Sequence, residues 1–285
     1  MDQLFALGVS CIEFVQYWFQ DSEDYFAAVN EFANPNNVMN LLFPLMSILD
    51  SVFAAQLLLC MAFGGWLGVV IKWWLLEDRP YWWIRETSFY NTNNRPHILQ
   101  YPQTCETGPG NPSGHSLATA MTLMLTIMWI SHIMNDRKCY VWWWKYVAYP
   151  LFFLVLFSVM LARVYVGAHF PHQCVIGAII GSFLSPALCI YVSDPYIWKY
   201  GVNANTTRSR LWHIFSAKVT VAISLLTYFS LKIGGWDPMW TVKMVSVPLV
   251  RKSGQHSRDH DSYVRSSPVH RSFVRMGSLR NSRCF

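Results

Sequence analysis

Long apolar runs constrain the fold of this sequence more than any other feature. Each of the longest extends over about twenty residues, enough for an α-helix to cross the hydrocarbon core of a bilayer. These runs are residues 52–76, 116–133, 141–161, 174–192 and 211–233, and a shorter sixth, 38–49, would need preceding residues to cross. The chain is only 13% charged, whereas soluble domains average about 25%. We therefore predict an all-α fold, a polytopic transmembrane helical bundle with about six spans.

The two ends of the chain differ sharply in charge. Residues 1–37 carry six acidic residues and no Lys or Arg, so we expect no cleaved signal peptide, which would begin with a basic region. From residue 251 onward, eight Lys or Arg stand against two Asp, with eight serines between them. This composition is typical of disordered segments. The sequence thus predicts a membrane-embedded domain over residues 1–240 and a disordered basic Ser/Arg-rich tail over residues 241–285.

Basic residues between the spans indicate the orientation of the bundle. Arg137 and Lys138 lie between the third and fourth predicted spans, with Lys145 near the start of the fourth, and Lys199, Arg208 and Arg210 lie between the fifth and sixth. Loops rich in Lys and Arg stay on the cytosolic side, so loops 77–114 and 163–173 are expected on the other side. With six spans the basic tail also falls there, against the same tendency. Either the span count is wrong by one, or the tail is tolerated on that side.

A polar stretch, C-E-T-G-P-G-N-P-S-G-H at residues 105–115, separates two of the apolar spans. The backbone N–H groups of Ser113 and Gly114 can form a concave nest for an anion, and a glycine lets the backbone come close to a ligand. His115 follows where the next apolar run begins, and the amides at the start of a helix favour negative charge. Pro, Ser and Gly also form ordinary turns, so alone this stretch predicts only half of a phosphate site.

Two further polar groups border the spans on the same predicted side. Lys72 and Arg79 are two helical turns apart, roughly on one face, and two such cations suit a bound phosphate. The alternative is that they only reach the membrane surface and anchor it. Arg163 ends the fourth predicted span, and His169 lies in the short loop before the fifth. In chain order these groups are K-x6-R-P, P-S-G-H and R-x5-H, and the combination is far more specific than any member.

With these three groups, the sequence resembles the type-2 phosphatidic acid phosphatase and vanadium haloperoxidase superfamily. The segments R-P-Y-W-W (79–83), T-C-E-T-G-P-G-N-P-S-G-H (104–115) and A-H-F-P-H-Q (168–173) resemble the glucose-6-phosphatase catalytic subunits. The resemblance extends from about residue 21 to residue 240. Family members continue beyond that point with further spans, so the sequence resembles a member with a shortened, divergent C-terminus.

The resemblance implies hydrolysis of a phosphomonoester through a phosphohistidine, without a metal or other cofactor. His169 would be the nucleophile and His115 the general acid, a role that suits imidazole because it titrates near neutral pH. The residues that would hold the phosphate are Lys72, Arg79, Ser113, Gly114 and Arg163. Gln173 stands four residues after the nucleophile, where many members of the superfamily have Asp. Its carbonyl group would accept the ring N–H of His169 and orient the ring.

The resemblance also implies a location and partners. We expect a multi-pass protein of the endoplasmic reticulum membrane whose active site faces the lumen and hydrolyses glucose 6-phosphate to glucose and phosphate. A glucose-6-phosphate transporter is then a possible partner, and no nucleic acid is expected to bind. Two alternatives stay open at this point, a lipid phosphate phosphatase with the same chemistry and a catalytically inactive truncated membrane protein.

Overall fold

A computed structural model describes residues 1–91, 94–104, 106–138, 142–198 and 207–237. The described residues form ten α-helices and no β-strand, which confirms the all-α prediction. The helices are α1 Asp2–Trp18, α2 Glu23–Phe32, α3 Pro35–Asn37, α4 Phe43–Leu49, α5 Ser51–Leu75, α6 Pro80–Glu86, α7 Gly114–Asp136, α8 Trp144–Tyr165, α9 Pro171–Leu188 and α10 Thr207–Ile233. The predicted tail, residues 241–285, lies outside the described residues.

Five helical segments are long and apolar enough to cross a membrane. They are Ser51–Glu86, Gly114–Asp136, Trp144–Tyr165, Pro171–Ser193 and Arg210–Ile233. They correspond to five of the six predicted spans, so the protein is a multi-pass helical membrane protein. Large apolar side chains on their outer faces are exposed, as expected for helices that face lipid, and the last of the five segments is the least buried.

The remaining predicted span, residues 38–49, is helical but short. Its helical path runs from α3 through a π-helical turn, Val38–Leu42, to the end of α4, which makes fifteen residues. At 1.5 Å per residue this path is about 22 Å long, less than the roughly 30 Å hydrocarbon core. Asp50 ends it and caps α5, because its carboxylate accepts hydrogen bonds from the N–H groups of Val52 and Phe53 at 3.0 and 3.1 Å. Helix α4 then packs against α5, and Met46 of α4 shares one apolar cluster with Phe53 and Leu57 of α5.

The closest helix packing in the bundle joins α7 to α9 at two glycines, four residues apart. A Cβ atom on Gly181 would lie 2.3 Å from the carbonyl oxygen of Leu117, and one on Gly177 would lie 2.6 Å from that of Ser113. Without side chains at these positions, the backbones of the two helices touch, as in small-xxx-small pairs of membrane helices. The start of α9 is thereby held against the start of α7, where the P-S-G-H motif lies.

Four helix ends meet on one side of the bundle. Helices α5 and α8 end there, whereas α7 and α9 begin there, because each of these long helices runs antiparallel to the next. Helix α10 runs parallel to α5, since Trp66 pairs with Ser224 and Trp74 pairs with Thr227 further along both helices. We call this side the site face, because Lys72, His115 and Arg163 all lie at these four ends.

We expect Gly181→Ala to lower the thermal unfolding temperature by several degrees, because the added methyl group would meet backbone atoms of α7. Overpacking of this kind typically costs about 1–3 kcal/mol. Gly65→Ala in α5 is the matched control, since a Cβ atom there would meet no atom within 4 Å. It should leave the unfolding temperature unchanged or raise it, because alanine favours helix over glycine. Equal effects of the two substitutions, measured in the same detergent, would contradict the close packing.

Candidate active site

Arg79 is almost fully buried on the site face, with 1% of its surface exposed. It is the residue before Pro80, which begins α6, and its side chain turns inward. Its Nε donates to the carbonyl oxygen of Gly108 at 2.8 Å, and its Nη1 donates to that of Ala168 at 3.0 Å. These carbonyl groups fix the guanidinium but do not neutralise its charge, so a buried anion is required.

Arg163, in the last turn of α8, is fully buried beside it. Its Nη1 donates to the Asn30 side chain of α2 at 3.1 Å, and its Nη2 forms a short ion pair with Oε1 of Glu106. The other carboxylate oxygen of Glu106 accepts from Nη1 of Arg79 at 3.0 Å. Burial alone would raise the pKa of Glu106, but the charges of Arg163 and Arg79 outweigh it and hold that pKa well below its usual range. Glu106 is therefore ionised and shared by two arginines.

His169, the expected nucleophile, is completely buried next to this cluster. Its Nδ1 lies 2.8 Å from the carbonyl oxygen of Gly110, and its Nε2 lies 3.4 Å from Nη1 of Arg79. Because a carbonyl oxygen can only accept, we assign the ring proton to Nδ1, which leaves the lone pair on Nε2. Burial and the charges of Arg79 and Arg163 lower the pKa of His169 well below its usual value. At neutral pH the ring is thus uncharged, and its free nitrogen faces the arginines.

Gln173 does not orient His169, contrary to our expectation. Its side-chain oxygen accepts from the backbone N–H of Phe170 at 3.2 Å, and its amide group donates to Glu77 and to the carbonyl oxygen of Asp78. The orienting acceptor is instead the backbone carbonyl of Gly110. The family resemblance suggested Gln173 for this role, but the loop before α7 packs against the His169 ring and brings the carbonyl oxygen of Gly110 to its Nδ1.

A network of hydrogen bonds around Glu77 holds that loop in place. One carboxylate oxygen of Glu77 accepts from the Asn111 side chain at 2.9 Å, and the other lies 3.0 Å from Nε2 of His172 and 3.2 Å from the Gln173 amide. The carbonyl oxygen of Glu77 also accepts from the N–H of Gly110 at 2.7 Å. His172 thus belongs to the support of the site. Through Gly110, Glu77 sets the position of the group that orients His169.

Lys72 and His115 lie beside the cluster formed by Arg79, Arg163 and Glu106. Each has Arg79, Arg163 and Glu106 among its electrostatic neighbours, and each is only partly exposed. Within the described residues, neither side chain makes a hydrogen bond, so both have free donors on the site face. The three motifs therefore bring five ionisable residues together on the site face, namely Lys72, Arg79, His115, Arg163 and His169.

Of the two predicted anion-binding residues before His115, Gly114 is open and Ser113 is not. The N–H of Ser113 donates to the carbonyl oxygen of Gln173 at 3.0 Å and is not available to a ligand. Its hydroxyl group is buried and, among the described residues, interacts only weakly with the Cys174 thiol. Gly114 begins α7, where amides lack partners within the helix, and a Cβ atom there would meet nothing within 4 Å. Gly114 therefore leaves open space beside the start of α7.

Comparison with known sequences gives the family of the chain. The PAP2 superfamily matches residues 53–196, which include all three motifs. The chain belongs to the PAP2 superfamily. Glucose-6-phosphatase catalytic subunit 1 of Canis lupus familiaris is 33% identical over 85% of this chain and 66% of its own length. The subunit 1 of Haplochromis nubilus is 30% identical over 98% of this chain and 75% of its own length. Glucose-6-phosphatase 2 of Mus musculus is 29% identical over 88% and 68%.

These relatives confirm the family that the motifs indicated, the glucose-6-phosphatase branch of the PAP2 superfamily. The chain spans about two thirds of the length of the mammalian subunit 1 relatives. No solved structure matches it.

Sequence reasoning missed three residues of this PAP2 site. Glu106 lies inside the C-E-T-G stretch that carried the resemblance, yet nothing along the chain showed that it faces two arginines. One signal was available, because a carboxylate is unexpected in a loop that is predicted to bind an anion and would need a cationic partner there. Asn30 and Glu77 gave none, since each is a single polar residue far in sequence from its partners, Arg163 and Gly110.

We expect Glu77→Ala to destabilise this PAP2 fold markedly, because it leaves the buried side-chain amide of Asn111 without its acceptor and removes one of the two acceptors of the buried Gln173 amide. Each such loss costs about 1–3 kcal/mol. Glu86→Ala is the matched control, since Glu86 ends α6 nearby and is exposed. Thermal unfolding should show a drop of several degrees for the first variant and little change for the second. Similar unfolding temperatures would mean that the Glu77 network contributes nothing to stability.

Proposed function

We propose that this chain hydrolyses glucose 6-phosphate to glucose and phosphate through a phosphohistidine. The observation that carries the proposal is the arrangement around His169, whose uncharged Nε2 faces Arg79, with Arg163 sharing the same carboxylate. A nucleophile next to fixed cations is what phosphoryl transfer requires, because catalysis there consists mainly of positioning and charge stabilisation. The identity of the relatives supports the same reaction.

In the first step, Nε2 of His169 attacks phosphorus and the bond from phosphorus to the sugar oxygen breaks. His115 gives its proton to that oxygen, so glucose leaves as a neutral alcohol. In the second step, water attacks the phosphohistidine, His115 takes a proton from the water, and the bond between nitrogen and phosphorus breaks. The non-bridging oxygens would be bound by Arg79, Arg163, Lys72 and the Gly114 amide. The residues Ser113 and Gln173 would support the loop rather than touch the substrate.

The choice of substrate rests on the relatives. Relatives that are 33% and 30% identical to this chain are named glucose-6-phosphatase catalytic subunits, and the sequence around residues 104–115 and 168–173 resembles that branch. A lipid phosphate would require the same chemistry at the same membrane face, so it is an outcome that the assay must separate.

The lumenal location rests on the distribution of charge. The site face contains the ends of α5 and α8, whereas Arg137, Lys138 and Lys145 flank the opposite ends of α7 and α8. If that basic side faces the cytosol, the site faces the lumen of the endoplasmic reticulum. Glucose 6-phosphate made in the cytosol would then need a transporter to reach it.

We expect His169→Ala to lower phosphate release from glucose 6-phosphate by at least about three orders of magnitude, as removal of a covalent nucleophile does. The chain would be expressed in microsomes without endogenous activity and assayed before and after permeabilisation. His132→Ala is the matched control, because His132 is exposed near the other end of α7. A lumenal site predicts that activity appears on permeabilisation.

The same phosphate-release assay distinguishes the two alternatives, a lipid phosphate phosphatase and an inactive membrane protein. Greater activity on phosphatidic acid than on glucose 6-phosphate would favour the lipid phosphatase. No activity on either substrate, from a chain shown to be inserted and folded, would favour the inactive protein. Equal activity of the parent and the His169→Ala variant would refute the nucleophile.

A second experiment tests the acid role of His115. With 4-nitrophenyl phosphate the leaving group needs little protonation, so the first turnover of His115→Ala should suffer little. With glucose 6-phosphate the same variant should lose about a hundredfold to ten-thousandfold in rate, the usual contribution of general acid catalysis. The release of product in the first turnover measures this step alone. Equal losses on both substrates would contradict protonation of the leaving group by His115.

A further inference from the structure

Glu106 occupies the place that the proposed mechanism assigns to phosphate. Its two carboxylate oxygens are held by different arginines, Oε2 by Nη1 of Arg79 at 3.0 Å and Oε1 by Nη2 of Arg163. Oε2 also lies 3.8 Å from Nε2 of His169. A phosphate bound by the same guanidinium groups and attacked by the same nitrogen would overlap this carboxylate. The two anions therefore cannot be in place together.

The charge of the cluster explains why an anion is present without substrate. Arg79 and Arg163 are 1% and 0% exposed, and two buried guanidinium groups this close repel each other. The neighbouring ammonium group of Lys72 adds to this repulsion. A carboxylate bridging both arginines offsets it. A phosphate dianion would offset it more fully, so it can replace the carboxylate at the same donors.

The loop around Glu106 allows this exchange by movement of one side chain. The Glu106 side chain is 32% exposed, so it has a path to solvent although its partners have none. The backbone after it is anchored, since Gly108 accepts from Arg79, and Gly110 contacts both Glu77 and His169. Rotation of the Glu106 side chain thus leaves the orienting carbonyl of Gly110 in position.

We propose that Glu106 is an exchangeable internal anion that occupies the phosphate site of the empty protein and competes with phosphate-containing ligands for Arg79 and Arg163. This inference rests on the proposed phosphatase function. The competition weakens the binding of inorganic phosphate, so Glu106 promotes release of the product. It also keeps the arginines in their binding geometry between turnovers.

Binding of inorganic phosphate to the full chain, purified in detergent, tests this competition without turnover. We expect Glu106→Gln to bind phosphate about tenfold or more tightly than the parent, because a charged competitor is replaced by a neutral amide of the same shape. Glu86→Gln removes the same charge from an exposed position on α6 and should bind phosphate as the parent does. Equal or weaker binding by Glu106→Gln than by the parent would overturn the proposal.

Thermal unfolding supplies a second readout in case Glu106→Gln is unstable. Without phosphate this variant should unfold at a lower temperature than the parent, since its arginines lack their counterion. Saturating phosphate should restore it and raise its unfolding temperature by more than that of the parent, because only a ligand of the folded state stabilises in this way. A variant that phosphate does not rescue would show that phosphate cannot take the place of the carboxylate, which contradicts the proposal.

The two proposals fail in different ways. If the parent binds phosphate but Glu106→Gln binds it no better, the competition is refuted and the phosphatase site is not. If neither protein binds phosphate at any concentration tested, the phosphate site itself is refuted, and the competition with it.

Discussion

The site depends on the burial of two arginine side chains next to one carboxylate. A buried guanidinium group is tolerated only with a partner for its charge and for its N–H groups. Glu106 offsets the charge of Arg79 and Arg163, and several of their N–H groups donate to oxygen atoms from separate parts of the chain, namely Asn30, Gly108 and Ala168. Helix α2, the loop before α7 and the loop before α9 are thus tied together at one point. The three motifs lie close together because the buried charges of Arg79 and Arg163 need the carboxylate of Glu106 as a common partner.

Close helix packing completes this arrangement. The glycines at positions 177 and 181 let α9 touch the first turns of α7, so the loop that carries His169 lies directly beneath the loop that ends in Ser113. The membrane supplies little driving force for helix association by itself, since lipid tails are as apolar as the helix faces. Contact between backbones is therefore well suited to set the distance between the two loops.

Much of the fold and of the site could be predicted from the sequence. Apolar runs identify spans because the bilayer fixes their length, and Lys72 and Arg163 are informative because they occur together with His115 and His169 on one predicted side of the membrane. The short segment 38–49 was harder, since apolar character shows that a helix is buried or in lipid but not whether it crosses. Glu106 and Gln173 were harder still. Their partners are decided by loop conformation, and no periodicity along the chain encodes which atom of a loop reaches the His169 ring.

The backbone carbonyl of Gly110 that orients His169 has a consequence for how such a site can vary. A carboxylate in this role could be lost by one substitution, whereas a peptide carbonyl is present whatever residue is encoded. The constraint moves instead to the space around the glycine, since a Cβ atom at Gly110 would lie 2.6 Å from the Gln173 side chain and 2.9 Å from the carbonyl oxygen of Asp78. The orientation of the His169 ring is thus robust to changes of chemical group and sensitive to changes of volume. Mutational tolerance at this position should follow side-chain size rather than polarity.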